Sequence, residues 1–95
     1  MHDDGEEIAI RTRKIMIEVL SLRLNPEDIR DDMSLYSPRI QLDSLSMLQL
    51  LLAVEDEFDV QLDDEDVMEA DLRTVGDLMQ LLRRSIREKS PEGAA

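Results

Sequence analysis

The sequence predicts a small all-α bundle: four helices, a long ordered loop between helices 1 and 2, and a short third helix. Three observations carry that expectation. Apolar residues recur at helical steps of three, four and seven, as in Val75, Leu78, Leu82 and Ile86. Only three Gly and three Pro occur in 95 residues, too few for an all-β fold rich in tight turns. The chain has one Phe, one Tyr and no Trp, so its core must be built from Leu, Met and Ala, which favour helices, with Ile and Val. Ninety-five residues fit one domain, 1–95, with disordered tails expected at about 1–5 and 90–95.

The first helix is expected from about Glu6 to Leu20, with a core stripe of Ile8, Ile15, Val19 and Leu22. A connection follows from Ser21 to Leu42. In it, Asn25-Pro26-Glu27-Asp28 reads as a cap, a proline at the first helical position and two acids, giving one short turn to about Asp32. Ser37-Pro38 marks an extended stretch, because the residue before proline avoids the helical region. So long a connection in a compact domain is usually functional or else a wrongly assigned element. Here Leu24, Ile29, Met33, Leu35 and Tyr36 are expected to pin it to the core. The second helix runs from about Ser44 to Phe58 behind Asp43, a good N-cap residue. The third spans about Asp64 to Ala70 with Asp63 as its cap. The fourth runs from about Val75 to Glu88, where Thr74 and Asp77 have capping-box spacing. Arg83, Arg84, Arg87 and Lys89 suit the negative end of its dipole.

The formal charge is −12, and it is unevenly placed. From Ile40 to Leu72 there is no Lys or Arg, and eleven acids put −11 into that segment. Such a surface repels nucleic acid and anionic membrane and attracts a basic protein partner. No apolar run reaches the roughly 18 residues of a membrane span, and the acidic N-terminus does not resemble a targeting peptide. With no Cys there is no disulfide framework and no thiolate metal site. The carboxylate run around Asp56–Asp66 lacks the alternating oxygens and glycine of a calcium loop, so no metal site is expected. A cytoplasmic protein is the default.

Helix 2 has more leucine than a surface helix needs. Met47, Leu50, Leu51, Val54 and Phe58 make a core face, and Leu45, Leu48 and Leu52 lie together on a flank of it. That flank is either a second buried side of a central helix or a docking patch for partners. Ser44 stands at the start of the same helix. A catalytic serine needs a base, usually His, and the only histidine is His2. There is no Gly-x-Ser-x-Gly elbow and no glycine-rich phosphate loop. The chain therefore reads as a non-enzyme. Its serine is either a silent cap residue or a place where something is attached.

Leu42-Asp43-Ser44-Leu45, followed by Leu50-Leu51-Leu52-Ala53-Val54-Glu55-Asp56-Glu57-Phe58-Asp59-Val60, resembles the central segment of acyl carrier proteins. The likeness continues through Leu62-Asp63-Asp64-Glu65 and Thr74-Val75-Gly76-Asp77-Leu78, and covers about Leu20 to Leu82. The resemblance implies that Ser44 receives 4′-phosphopantetheine from a phosphopantetheinyl transferase using coenzyme A, with Asp43 as cap and transferase contact. The arm's thiol would carry acyl or aminoacyl groups as thioesters. A helix start suits a phosphodiester. The absent cysteine fits too, since the reactive thiol would come with the cofactor.

The implied partners are that transferase, an acyl- or aminoacyl-loading ligase or transferase, and downstream synthase or condensing enzymes, met by a monomer. Leu45, Leu48 and Leu52 would form the docking flank, and Glu55, Asp56 and Glu57 would steer partners from further away. Fatty-acid carriers usually have glycine two residues before the Asp, where this chain has Gln41, and acids where it has Ser46 and Gln49. These departures favour a free-standing carrier of specialised, polyketide- or nonribosomal-peptide-type metabolism. The competing expectations are the housekeeping fatty-acid carrier and a cofactor-free acidic helical adaptor.

Overall fold

The structure, a computed structural model, describes residues 4–89; of the tails expected at about 1–5 and 90–95, residues 4 and 5 instead open the first helix, and the rest, with His2, lie outside the described residues. Four helices follow in order: α1 Asp4–Leu20, α2 Ser44–Phe58, α3 Asp64–Ala70 and α4 Val75–Lys89. A 3₁₀ turn, Pro26–Asp28, lies in the long loop. α1 packs against α2 and α4, and α3 packs against α4. Among the described residues there is no strand, and one isolated bridge pairs Ser34 with Thr74. α1 begins two residues earlier than the acidic N-terminus suggests.

The core is aliphatic, as the scarcity of aromatics requires. Met16, Leu35, Leu50, Val54, Val75, Leu78, Met79 and Leu82 are fully buried in one cluster. The stripe of α1 differs from the one the periodicity suggests. Ile8 is buried, but Ile15, Val19 and Leu22 are only half-buried, and the innermost line runs Ile8, Thr12, Met16. These residues repeat every four positions, one above the other on a helix. Apolar counting favours Ile15 over Thr12 and so misplaces the face by about one residue. The Thr12 hydroxyl is buried and has no hydrogen-bond partner among the described residues.

The long loop is fastened on two sides. From α1, Arg13 Nε donates to the Ile29 carbonyl at 2.7 Å, and the same guanidinium pairs with Asp31. From α4, the first backbone N–H groups find loop carbonyls: Val75 donates to Met33 at 2.9 Å and Gly76 to Asp31 at 2.7 Å. These are helix-start donors without intrahelical partners, and the loop satisfies them. The close approach also explains the glycine, since a Cβ at position 76 would sit 3.1 Å from the Asp31 carbonyl oxygen. Leu35 N–H donates to the Arg73 carbonyl at 2.8 Å, and Leu35 and Ile29 plug the core.

Tyr36 does not pin the loop; it is exposed. Nor is Ser37-Pro38 extended. The Ser37 carbonyl accepts from Ile40 at 3.0 Å and Gln41 at 2.7 Å, which closes a turn. Proline sits comfortably inside such a turn because its fixed φ is pre-set for it. The helical turn after Asn25 ends at Asp28, four residues short of Asp32.

α2 and α3 begin and end where the sequence places them. Asp59 and Asp71 close them in the left-handed conformation, with φ of 55° and 50°. Asp tolerates that region better than most residues. Asp63 occupies the N-cap position of α3 but makes no side-chain capping bond. The capping box of α4 is formed in both directions. Asp77 N–H donates to Thr74 Oγ1 at 3.2 Å, and the Asp77 carboxylate accepts from the Thr74 and Arg73 N–H groups, each at 3.0 Å. These bonds, from Thr74 first and then Arg73, hold the Asp77 carboxyl below its ordinary pKa. Near the other end of α4, Arg83 Nη2 reaches the Gly5 carbonyl at 3.3 Å and ties the helix to α1.

Candidate functional site

The start of α2 is built by its preceding residue. Asp43 is extended, with φ −129° and ψ −175°, and its Oδ1 accepts from the Ser46 N–H at 2.8 Å. That bond, reinforced by the Ser46 side chain, holds the Asp43 carboxyl below its ordinary pKa. Its carbonyl takes the first intrahelical bond, from Met47 at 2.8 Å. Ser44 follows as the first helical residue and is exposed. Its hydroxyl stands at the positive end of the dipole, beside the orphan N–H groups of a helix start.

The approach to the serine is strained at one point. Gln41 has a φ of 56°, in the left-handed region where a Cβ costs about 1–2 kcal/mol. By the resemblance described above, this is the position where fatty-acid carriers usually have glycine. Here the left-handed backbone is met by a residue with a Cβ, not by the residue that adopts it most cheaply.

An open depression of about 450 Å³ lies at Ser44, lined by Tyr36, Asp43, Ser44 and Met47. Tyr36 comes from the loop, eight positions before Ser44, and the sequence pattern treats it as a core residue. Its exposure of 58% shows otherwise.

The flank of α2 is open. Leu45, Leu48 and Leu52 are 65%, 53% and 55% exposed, whereas Leu50 and Val54 on the other side are fully buried. On α3, Met68 is also exposed, an apolar side chain that no helical pattern singles out.

The three acids at the far end of the helix divide. Glu55 is half-buried, and its Oε2 accepts from the Leu62 N–H at 2.7 Å, holding the segment that leaves the helix. Glu57 accepts from Arg11 Nε at 3.0 Å, and that guanidinium also stands 5.1 Å from the centre of the Phe58 ring. Arg11 thus clasps the end of α2 to α1 through a charge and a cation–π contact. Asp56 is exposed and has no such partner among the described residues. Sequence spacing gives no sign of the Arg11 and Leu62 contacts, because the first pair is 46 residues apart and the second depends on where the chain turns after Asp59.

Among the described residues no helix is long and apolar enough to cross a membrane, and no group of three or more His, Cys, Asp or Glu side chains is placed to hold a metal ion.

The model of one protein family, the phosphopantetheine attachment site, matches residues 11–82. The chain is 34% identical over 90 residues to the meromycolate extension acyl carrier protein of Mycolicibacterium smegmatis, covering 95% of this chain and 85% of that one. It is 35% identical over 89 residues to the protein of the same name from Mycobacterium tuberculosis, covering 94% of this chain and 72% of that one. It is 34% identical over 79 residues to an acyl carrier protein of Rhodococcus erythropolis, covering 83% and 81%.

The start of α2 fits a phosphopantetheine group in its chemistry. It offers an exposed hydroxyl, a helix terminus that favours a phosphodiester, and open space beside it. The chain belongs to the acyl carrier protein family: it holds acyl intermediates on phosphopantetheine, serves a phosphopantetheinyl transferase and synthase enzymes, and is a carrier, not a catalyst.

Proposed function

We propose that Ser44 is the attachment residue and that the cargo is an acyl chain under extension. The observation that carries this reading is the exposed Ser44 at the first position of α2, inside the matched segment 11–82. Its Oγ would form the new bond to the phosphorus of coenzyme A as the pyrophosphate link breaks and the adenosine bisphosphate leaves. The serine proton would pass to a base of the transferase. Asp43 supports this by fixing the first turn, so that the hydroxyl is presented in one orientation. When attached, the cofactor supplies a terminal thiol for thioester cargo.

The names of the mycobacterial relatives, which speak of meromycolate extension, favour specialised lipid elongation over aminoacyl or polyketide cargo. Leu45, Leu48 and Leu52 form the docking flank for the loading ligase or transferase and for the condensing enzymes. Asp56 supplies the steering charge, because Glu55 and Glu57 are committed within the chain. A monomeric cytoplasmic carrier serves these partners in turn.

Intact mass after incubation of the apo-protein with coenzyme A and a broad-specificity transferase tests the site. Wild type should gain one phosphopantetheine and Ser44→Ala none. Failure of wild type to gain mass removes the attachment reading, and modification of Ser44→Ala moves the site elsewhere.

A further inference from the structure

Ser44 stands on a ridge between two different surfaces. At about 100° per residue, Leu48, Leu52 and Leu45 lie about 40–100° to one side of it around the helix, and Met47 lies about 60° to the other. The first side is the exposed leucine flank. The second is the depression of about 450 Å³, whose outer wall is Tyr36.

Tyr36 is the only tyrosine of the chain, and the core does not use it. Its backbone is nonetheless well fixed. Tyr36 N–H donates to Ser34 Oγ at 3.1 Å, Ser37 N–H donates to the Ser34 carbonyl at 3.1 Å, and Leu35 beside it is fully buried. A ring with two side-chain torsions, carried on an anchored segment, gives up little freedom when it gains a contact.

We propose that Tyr36 is a positioning residue for the phosphopantetheine arm, which rests in the depression against the Tyr36 ring and Met47 and leaves the leucine flank uncovered. The inference rests on Ser44 being the attachment residue. The chemistry of the wall suits the arm. Its geminal methyl groups match the ring face and the Met47 thioether, and its secondary amides match a phenol that can donate and accept. A partner that docks on Leu45, Leu48 and Leu52 then need not displace the arm to bind, only to receive cargo.

The chain has no tryptophan, so its tyrosine emission, excited beyond the phenylalanine band, comes from Tyr36 alone. Apo- and holo-protein, each verified by intact mass, should differ in tyrosine emission and in quenching by acrylamide, with the ring better protected in the holo form. Proton cross-relaxation should connect the arm's methyl groups with the Tyr36 ring and the Met47 methyl. Tyr36→Phe should keep those contacts to the ring, and Tyr36→Ala should lose protection of the arm without loss of helix content. Fully loaded protein with unchanged quenching, or with arm contacts to Leu48 and Leu52, overturns the inference while the attachment site stands. Protein that gains no mass overturns the attachment reading itself. Should Tyr36→Ala fail to fold, the wild-type and Tyr36→Phe contacts decide.

Discussion

Helices α2 and α4 are each 15 residues long, and α2 has the more apolar sequence, yet α4 supplies more of the core. Val75, Leu78, Met79, Leu81 and Leu82 of α4 are buried, against only Leu50 and Val54 of α2. α2 spends three leucines on solvent. A helix that exposes more than half of each of three leucines gains little folding energy from them, which fits the docking role proposed for that flank. The comparison separates two uses of the same residue type. In α4, leucine holds the bundle together; in α2, part of it stands in solvent, on the flank we propose for docking.

The largest effect should come from the core side of that comparison. Leu78→Ala should lose about 2–5 kcal/mol, read from denaturant or thermal unfolding, because it opens a cavity under fully buried neighbours. Leu48→Ala should stay within about 0.5 kcal/mol of wild type while slowing transfer to or from partner enzymes. Equal destabilisation by the two would make Leu48 a core residue and dissolve the contrast.

The second effect concerns how each helix is started. Asp77→Ala should cost about 1 kcal/mol, since it removes one half of the capping box of α4. Its pH dependence has a fixed sign. The folded carboxyl titrates below its unfolded value of about 3.9, so its contribution is present above that pH and is lost as pH falls through the folded pKa. Asp43 at the start of α2 shares this direction. Acid titration of wild type against Asp77→Ala should therefore converge at low pH. Curves that stay parallel throughout would show that the Asp77 charge plays no part.

The smallest effect lies at the approach to α2. Gln41→Gly relieves a left-handed side chain and adds backbone freedom to the unfolded chain, and the two oppose each other. A net gain of up to about 1 kcal/mol is expected. A clear loss would mean that the Gln41 side chain contributes something that the backbone geometry hides.

Helices were legible in the sequence because their signals are local. Asp43 before an apolar run, and Thr74 three residues before Asp77, set two helix starts. Ser44 stood out as an attachment candidate by elimination, as a helix-start serine with no base, together with the resemblance of the residues around it; the structure adds that it is exposed at the first position of α2. The loop was not. Its order comes from Val75 and Gly76 donating across more than 40 residues to Met33 and Asp31, a pairing that no short-range pattern encodes. The fates of Glu55 and Glu57 escaped for the same reason, since their partners are reached only once the chain has folded back. Tyr36 misled because an aromatic among aliphatic residues reads as core. The ring is instead exposed, beside the turn closed at Ser37.

The bridge between Ser34 and Thr74 has an architectural consequence. The chain departs from that point and comes back to it, and Tyr36, Ser44, the exposed leucines, Asp56 and Met68 all lie on the excursion between. α1 and α4 stand outside it as a frame. The exposed residues of the candidate site thus belong to one segment held at both ends and packed on the frame through a shared core. Just outside the bridge, the close approach of Gly76 to the Asp31 carbonyl clamps the two ends of that segment together.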